Sequence, residues 1–325
     1  MMKAGSKYRH IFGKEAKSDQ CYDGLRILNS AWDTDGVCCS DDFLAVPMQG
    51  GGGPVCVLKY DQVGKRSDSH TVAGHKGQVL DMSFSPFNSD LLLTGSDDTT
   101  CKLWRIPADG LTENMHADQA LATLSGHAKK VGIVKFNPVA ENILATSSID
   151  KTVKIWDIET GQDIFTVDGF ADYPTSMDWS HDGSVMAAVT KSKELHMIDP
   201  RESAIMNSTH SHPGAKSQRC LWLGDSNLIF TFGFSKSSER ELAVWDPKNM
   251  STPIWKDSPD VASGVLIPLF DPDLKVLYLG GKGDGNIRYA PRSISDANFS
   301  FFVPLPLPLP LLILQLFVPR CATKL

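Results

Sequence analysis

Two sets of four residues carry the types that nucleophilic catalysis assembles: His75, Thr94, Asp98 and Trp104, then His127, Thr146, Asp150 and Trp156. A carboxylate orienting an imidazole, with that imidazole set to take a hydroxyl proton, is the arrangement of an activated nucleophile. The spacing points elsewhere. Gly74-His75 recurs at Gly126-His127 and Leu103-Trp104 at Ile155-Trp156, both 52 residues on. A catalytic set is not normally built twice. A buried hydrogen-bond network, by contrast, recurs wherever a structural repeat is intact, because a buried Asp or His left unpaired costs roughly 1–3 kcal/mol. Both sets are read as structural, and no catalytic residue is assigned.

Other chemical candidates fall away on their surroundings. Gly50 to Gly53 suggests a phosphate loop, but no Gly-Lys-Ser/Thr follows, and Pro54-Val-Cys-Val-Leu58 reads as a strand, so a strand-connecting turn is expected. His210-Ser-His212 has no nearby Cys or carboxylate to complete a tetrahedral metal set and is assigned to an exposed loop. No metal site and no cofactor box are found. Cys21, Cys38, Cys39, Cys56, Cys101, Cys220 and Cys321 show neither metal spacing nor a disulfide framework and read as reduced thiols of a cytosolic protein. The basic N-terminus lacks the apolar stretch of a secretory signal, so the Asn-x-Ser/Thr matches at Asn207 and Asn249 are read as chance.

The elements that position the two networks follow from the same repeat. Val79-Leu-Asp-Met-Ser-Phe84 answers Val131-Gly-Ile-Val-Lys-Phe136, each followed by a turn with Pro86 or Pro138. A second apolar run comes next, Leu91 to Gly95 or Ile143 to Thr146, then the turn with Asp98 or Asp150, then alternating Cys101 to Trp104 or Val153 to Trp156, a hairpin by its period of two. Degenerate copies continue through Met177 to Trp179, Cys220 to Trp222 and Leu269 to Pro272. A unit of about 40 to 45 residues with Gly-His and Trp-Asp marks is the WD40 signature, which predicts an all-β propeller of four-stranded blades. First strands near Val37, Val79, Val131, Thr175, Arg219 and Val265 give about six legible blades. With 42% hydrophobic residues and a net charge of −6, the chain can bury a sizeable core but lacks the basic footprint of a nucleic-acid binder.

The words between the repeats are more specific. Ser6-Lys-Tyr-Arg-His-Ile-Phe-Gly13, Gln20-Cys-Tyr-Asp-Gly-Leu-Arg26, Ala31-Trp32-Asp33, Asp199-Pro-Arg201, Phe232 to Leu242 and Gly280 to Tyr289 resemble the coronin family, in that family's order. The resemblance covers roughly residues 5 to 290. It implies a cytoplasmic protein of the actin cytoskeleton whose propeller binds the side of filamentous actin and whose complete form acts on filament turnover with the Arp2/3 complex and cofilin. It places the family's actin-contacting Arg at Arg26, with Lys7, Arg9 and His10 extending that surface and Lys129 and Lys130 forming a second basic spot. A planar guanidinium suits the carboxylates of actin's acidic surface. A generic WD adaptor is the alternative reading.

The expected organisation is therefore an N-terminal segment over 1–24 that supplies a ring-closing strand, a propeller over 25–290 and an unrelated tail over 291–325. Family members are seven-bladed and continue into a coiled coil; neither a seventh blade nor the coiled coil is legible here, so strand edges are expected to lie open. Pro304, Pro306, Pro308 and Pro310 alternate through the apolar tail and argue against a membrane-spanning helix. The tail is expected to be an extended polyproline-type segment or translated non-coding sequence.

Overall fold

The structure is a computed structural model that describes residues 21–29, 32–65, 70–284, 286–291 and 303–306. The expectations for Lys7, Arg9, His10 and the strand over Tyr8 to Phe12 lie outside these residues. The described residues form six four-stranded antiparallel sheets in a propeller arrangement, plus a short parallel pair in which Tyr22–Asp23 lies against Gly64–Lys65.

Each sheet is one blade, with its first strand innermost. Blade 1 uses Cys38–Cys39, Phe43–Pro47, Val55–Lys59 and Thr71–Val72; blade 2 uses Val79–Phe84, Leu91–Ser96, Thr100–Arg105 and Ala122–Ser125. Blade 3 runs through Val131–Phe136, Ile143–Ser148, Val153–Asp157 and Gln162–Val167, and blade 4 through Pro174–Trp179, Met186–Thr190, Glu194–Asp199 and Ala204–His210. Blade 5 comprises Arg219–Trp222, Ile229–Phe234, Arg240–Trp245 and Trp255–Asp257; blade 6 comprises Leu266–Asp271, Val276–Gly281, Asn286–Pro291 and Val303–Pro306.

Burial is greatest in the second strands and falls toward the rim. The second strands of blades 2, 4 and 5 are buried at every residue, because a neighbouring blade covers each face, which is why they read as continuous apolar runs. Ala204–His210, at the rim of blade 4, is mostly exposed. Close packing also dictates small residues: a β-carbon at Gly95 would meet Val134 Cγ1 of blade 3 at 2.7 Å.

Five apolar cores lie between successive blades, from Phe43 and Leu92 between blades 1 and 2 to Phe232 and Leu277 between blades 5 and 6. The far face of blade 1 carries Val37, Leu44 and Val46, packed with Tyr22, Cys39 and Tyr60. A cavity of about 140 Å³ lined by Leu28, Val37, Val46 and Ile267 marks this seam.

The tail differs from expectation at four residues. Val303–Pro306 is the outer strand of blade 6, with Tyr289 opposite Val303 and Asn286 opposite Pro306. An outer strand bonds to one neighbour only, so the missing amides of Pro304 and Pro306 are tolerated where a central strand would not accept them.

Candidate functional site

The two predicted networks have nearly identical geometry. In blade 2, His75 Nδ1 lies 3.0 Å from Asp98 Oδ2 and Nε2 lies 2.8 Å from Thr94 Oγ1, which also accepts the Trp104 indole N–H at 3.0 Å. In blade 3 the matching distances are 2.9, 2.8 and 2.7 Å for His127, Asp150, Thr146 and Trp156. The carboxylate fixes the proton on Nδ1, so Nε2 accepts from the threonine hydroxyl and polarity runs one way, from indole through hydroxyl and imidazole to carboxylate. That is the direction of a catalytic triad, but the hydroxyl oxygen that would attack a substrate is occupied by the indole and buried, as both threonines are. The aspartates are further held by Thr100 and Thr152 and by the amides of Lys76 and Ala128. Burial alone would raise the Asp98 and Asp150 pKa values, but these hydrogen bonds hold both below the usual carboxylate range; burial holds His127 below the usual imidazole value.

A third network corrects the reading of His212 as part of an exposed loop. His212 is buried, with Nδ1 3.1 Å from Glu241 Oε2 and Nε2 3.0 Å from Thr231 Oγ1, which accepts the Trp245 indole at 2.8 Å. Its signal was available, since His and Thr are separated by 19 residues in all three blades. It was masked because the acid is a glutamate on the third strand instead of an aspartate in the turn, and the indole stands 14 rather than 10 residues past the threonine. Blade 4 replaces three members of the set with apolar residues. Lys193 repeats the left-handed turn conformation of Lys151, which aligns Ala188 with the threonine and Ile198 with the indole, and the match of Pro174 with Val131 at the start of the inner strand aligns Phe170 with the histidine; all three are core residues. The acid's position falls to Ser192, which bonds Thr190 and Glu194, so the exchange leaves no orphaned polar group.

Of the predicted basic residues, Arg26, Lys129 and Lys130 share one end of the disc, the end at which inner strands begin, called here the upper face. Arg26 is exposed, and its carbonyl accepts the Gln49 amide at 2.9 Å in the turn between the second and third strands of blade 1. That turn abuts the start of blade 2, because Gly53, at φ +58°, leaves no room for a β-carbon beside Gly77 and Val79. Lys129 and Lys130 are exposed just before the inner strand of blade 3, and Lys130 Nζ pairs with Asp97 Oδ1 at 2.7 Å. Arg26 and the lysines thus lie two blades apart. Sequence reasoning missed Arg240, whose buried side chain forms a bidentate pair with Asp284 at 2.6 and 2.9 Å and donates to Gly264 O at 2.8 Å. With Arg288 and Asp260 it makes a charge-balanced quartet fastening blade 6 to blade 5.

A channel of about 660 Å³ runs along the axis, lined by inner-strand residues including Asp81, Lys135, Asp178 and Arg219. Trp32 to Asp35 cross its upper mouth as a strap. The Trp32 indole donates to Gly132 O at 3.3 Å and its ring stacks on Tyr173 with centroids 6.0 Å apart. Glycine is required at 132, since a β-carbon there would overlap the indole. Arg219 donates to the Asp33 carbonyl, Lys282 Nζ lies 3.6 Å from Asp33 Oδ1, and Asp35 lies 3.7 Å from Lys135 and 3.5 Å from Arg219. The strap therefore reaches blades 3, 4, 5 and 6. Among the described residues no helix is long and apolar enough to cross a membrane, and no group of three or more His, Cys, Asp or Glu is placed to hold a metal ion.

Comparison with known proteins agrees with this architecture. Residues 2–65 match a domain of unknown function (DUF1899), and residues 66–105 and 118–157 match the WD domain, G-beta repeat. The chain is 42% identical over 296 residues to the coronin-like protein of Saccharomyces cerevisiae, covering 87% of this chain and 45% of that protein. It is 43% identical to coronin-A of Dictyostelium discoideum, covering 87% and 63%, and 36% identical to human coronin-2A, covering 91% and 57%. The chain spans about half the length of these relatives. The WD40 domain of Toxoplasma gondii coronin superposes with a TM-score of 0.81 at 32% identity, covering 88% of this chain and 73% of that one. The networks, the blade order and these matches have one origin: the chain belongs to the coronin family.

Proposed function

We propose that the upper face of the propeller binds the side of filamentous actin, with Arg26 as the principal contact and Lys129 and Lys130 as a secondary basic spot. The observation that carries this reading is the exposure of Arg26 on the same face as both lysines, in a coronin-family chain. Arg26 has its backbone fixed by Gln49, so the side chain is presented from a set position while its guanidinium remains available for a bidentate carboxylate pair. The protein acts by binding rather than by catalysis, since each histidine network uses its reactive groups internally. In the cytoplasm it would serve actin filament organisation, and in longer relatives the Arp2/3 complex and cofilin are the expected collaborators.

Co-sedimentation with filamentous actin tests this. Arg26→Asp should weaken binding about tenfold or more while leaving the melting temperature unchanged, as for an interface arginine whose reversal does not touch the core. Binding should also weaken with added salt, because exposed ion pairs are screened beyond about 8 to 10 Å. Unchanged sedimentation of Arg26→Asp at low and moderate salt would remove Arg26 from the interface and favour a WD adaptor.

A further inference from the structure

We propose that the Trp32 to Asp35 strap is a proton-controlled latch across the channel, docked when Asp81 carries a proton and loosened as that proton is lost. The geometry sets up the coupling. Asp35, on the strap, lies between Lys135 of blade 3 and Arg219 of blade 5. Asp81 of blade 2 and Asp178 of blade 4 line the same channel, beside Cys38 of blade 1. Three carboxylates thus meet two cations, an excess of one negative charge when all are ionised. Neither wall carboxylate is free to swing away, because Asp81 Oδ2 accepts the Val134 amide and Asp178 Oδ2 the Trp222 amide, both at 2.9 Å.

Asp81 is the group that takes the compensating proton. Burial, and then the charge of Asp35, push its pKa up to about 7. Asp178 is raised by burial, against the pull of Lys135. Linkage is reciprocal: if a docked Asp35 raises the affinity of Asp81 for a proton, a proton on Asp81 strengthens docking of Asp35 by the same factor. A pKa raised in the docked form stabilises that form fully below the ordinary value of 3.8, and the stabilisation is lost as pH rises through about 7. If undocking restored an ordinary carboxylate, docking would weaken about tenfold between pH 6 and pH 8. Burial persists without the strap, so the expected change lies between about twofold and tenfold.

Hydrogen exchange of the full chain at pH 6 and pH 8, read by mass spectrometry and corrected for intrinsic exchange rates, tests the latch. Protection over residues 32–37 should fall two- to tenfold at pH 8, while Ile143–Ser148 in blade 3 stays unchanged. Asp81→Asn should hold the strap equally at both pH values, and Gly132→Val, which evicts Trp32, should leave it unprotected at both. Strap protection that ignores pH in the unaltered chain, or that falls equally in Asp81→Asn, overturns the proposal. Should Asp81→Asn not fold, Asp35→Asn removes the facing charge from the other side, and a pH response that survives it overturns the proposal as well.

Discussion

Asp150→Ala isolates what one histidine network contributes. Asp150 accepts four hydrogen bonds: from His127 Nδ1 at 2.9 Å, the Ala128 amide at 2.9 Å, Thr152 Oγ1 at 2.7 Å and the Thr152 amide at 3.0 Å. Ala128 is exposed and Thr152 half-buried, so water replaces much of what they lose. The His127 side chain is 1% exposed and has no such recourse. One buried N–H left without its charged acceptor costs about 2–3 kcal/mol, and Thr152 Oγ1, 3.3 Å from Nδ1, can recover a part. The expected loss is therefore about 2 kcal/mol, or about 4 °C in melting temperature for a domain of this size. Denaturant titration and calorimetry read it, with Glu113→Ala, on an exposed loop, expected within about 0.5 kcal/mol of the parent. In a His127→Phe background, which imitates Phe170 of blade 4, adding Asp150→Ala should cost less than about 1 kcal/mol, because the imidazole it served is gone. An Asp150→Ala chain that melts with the parent refutes the energetic reasoning, and one that stays folded yet loses a chemical activity refutes the structural assignment.

Two further outcomes follow from the other buried polar sets. Glu241→Asp should destabilise blade 5 about as much as Glu241→Ala, roughly 1–3 kcal/mol, because an acid one methylene shorter cannot reach His212 from the third strand. Full stability of Glu241→Asp in denaturant titration would show that reach does not decide the choice of acid. Arg240→Met should cost about 3–5 kcal/mol by leaving Asp284 and Asp260 to share Arg288, and Arg240→Met with Asp284→Asn should recover part of that loss. Equal stabilities of the single and double variants would mean that the quartet holds nothing together.

The repeat made the six inner strands, the eight residues of the first two networks and the glycine turn at 50–53 readable, since each has a period or a fixed turn chemistry. What escaped was what does not repeat. His212 lost its mark when the acid moved from turn to strand, and Arg240 belongs to a quartet with no counterpart in the other described blades. Trp32 and Asp33 bond to partners 100 and 186 residues away, and no local pattern encodes such a meeting. The strand at Val303–Pro306 was hidden by its prolines, which speak against a central strand but not against an outer one.

That long reach of the strap bears on the order in which the molecule forms. Blade sheets are built from successive hairpins, whose contacts close quickly because few residues separate the partners. The strap precedes all of its partners in the chain, and Gly132, Tyr173, Arg219 and Lys282 are made after it. Until blades 3 and 4 have formed, Trp32 has neither the Gly132 carbonyl to bond nor the Tyr173 ring to stack on, and Asp33 waits further for Arg219 and Lys282. Closing a loop of 186 residues adds an entropic barrier that none of the hairpins faces. Fastening by the strap is thus set to follow the closing of the hairpins, performed by a segment made before every blade it ties together.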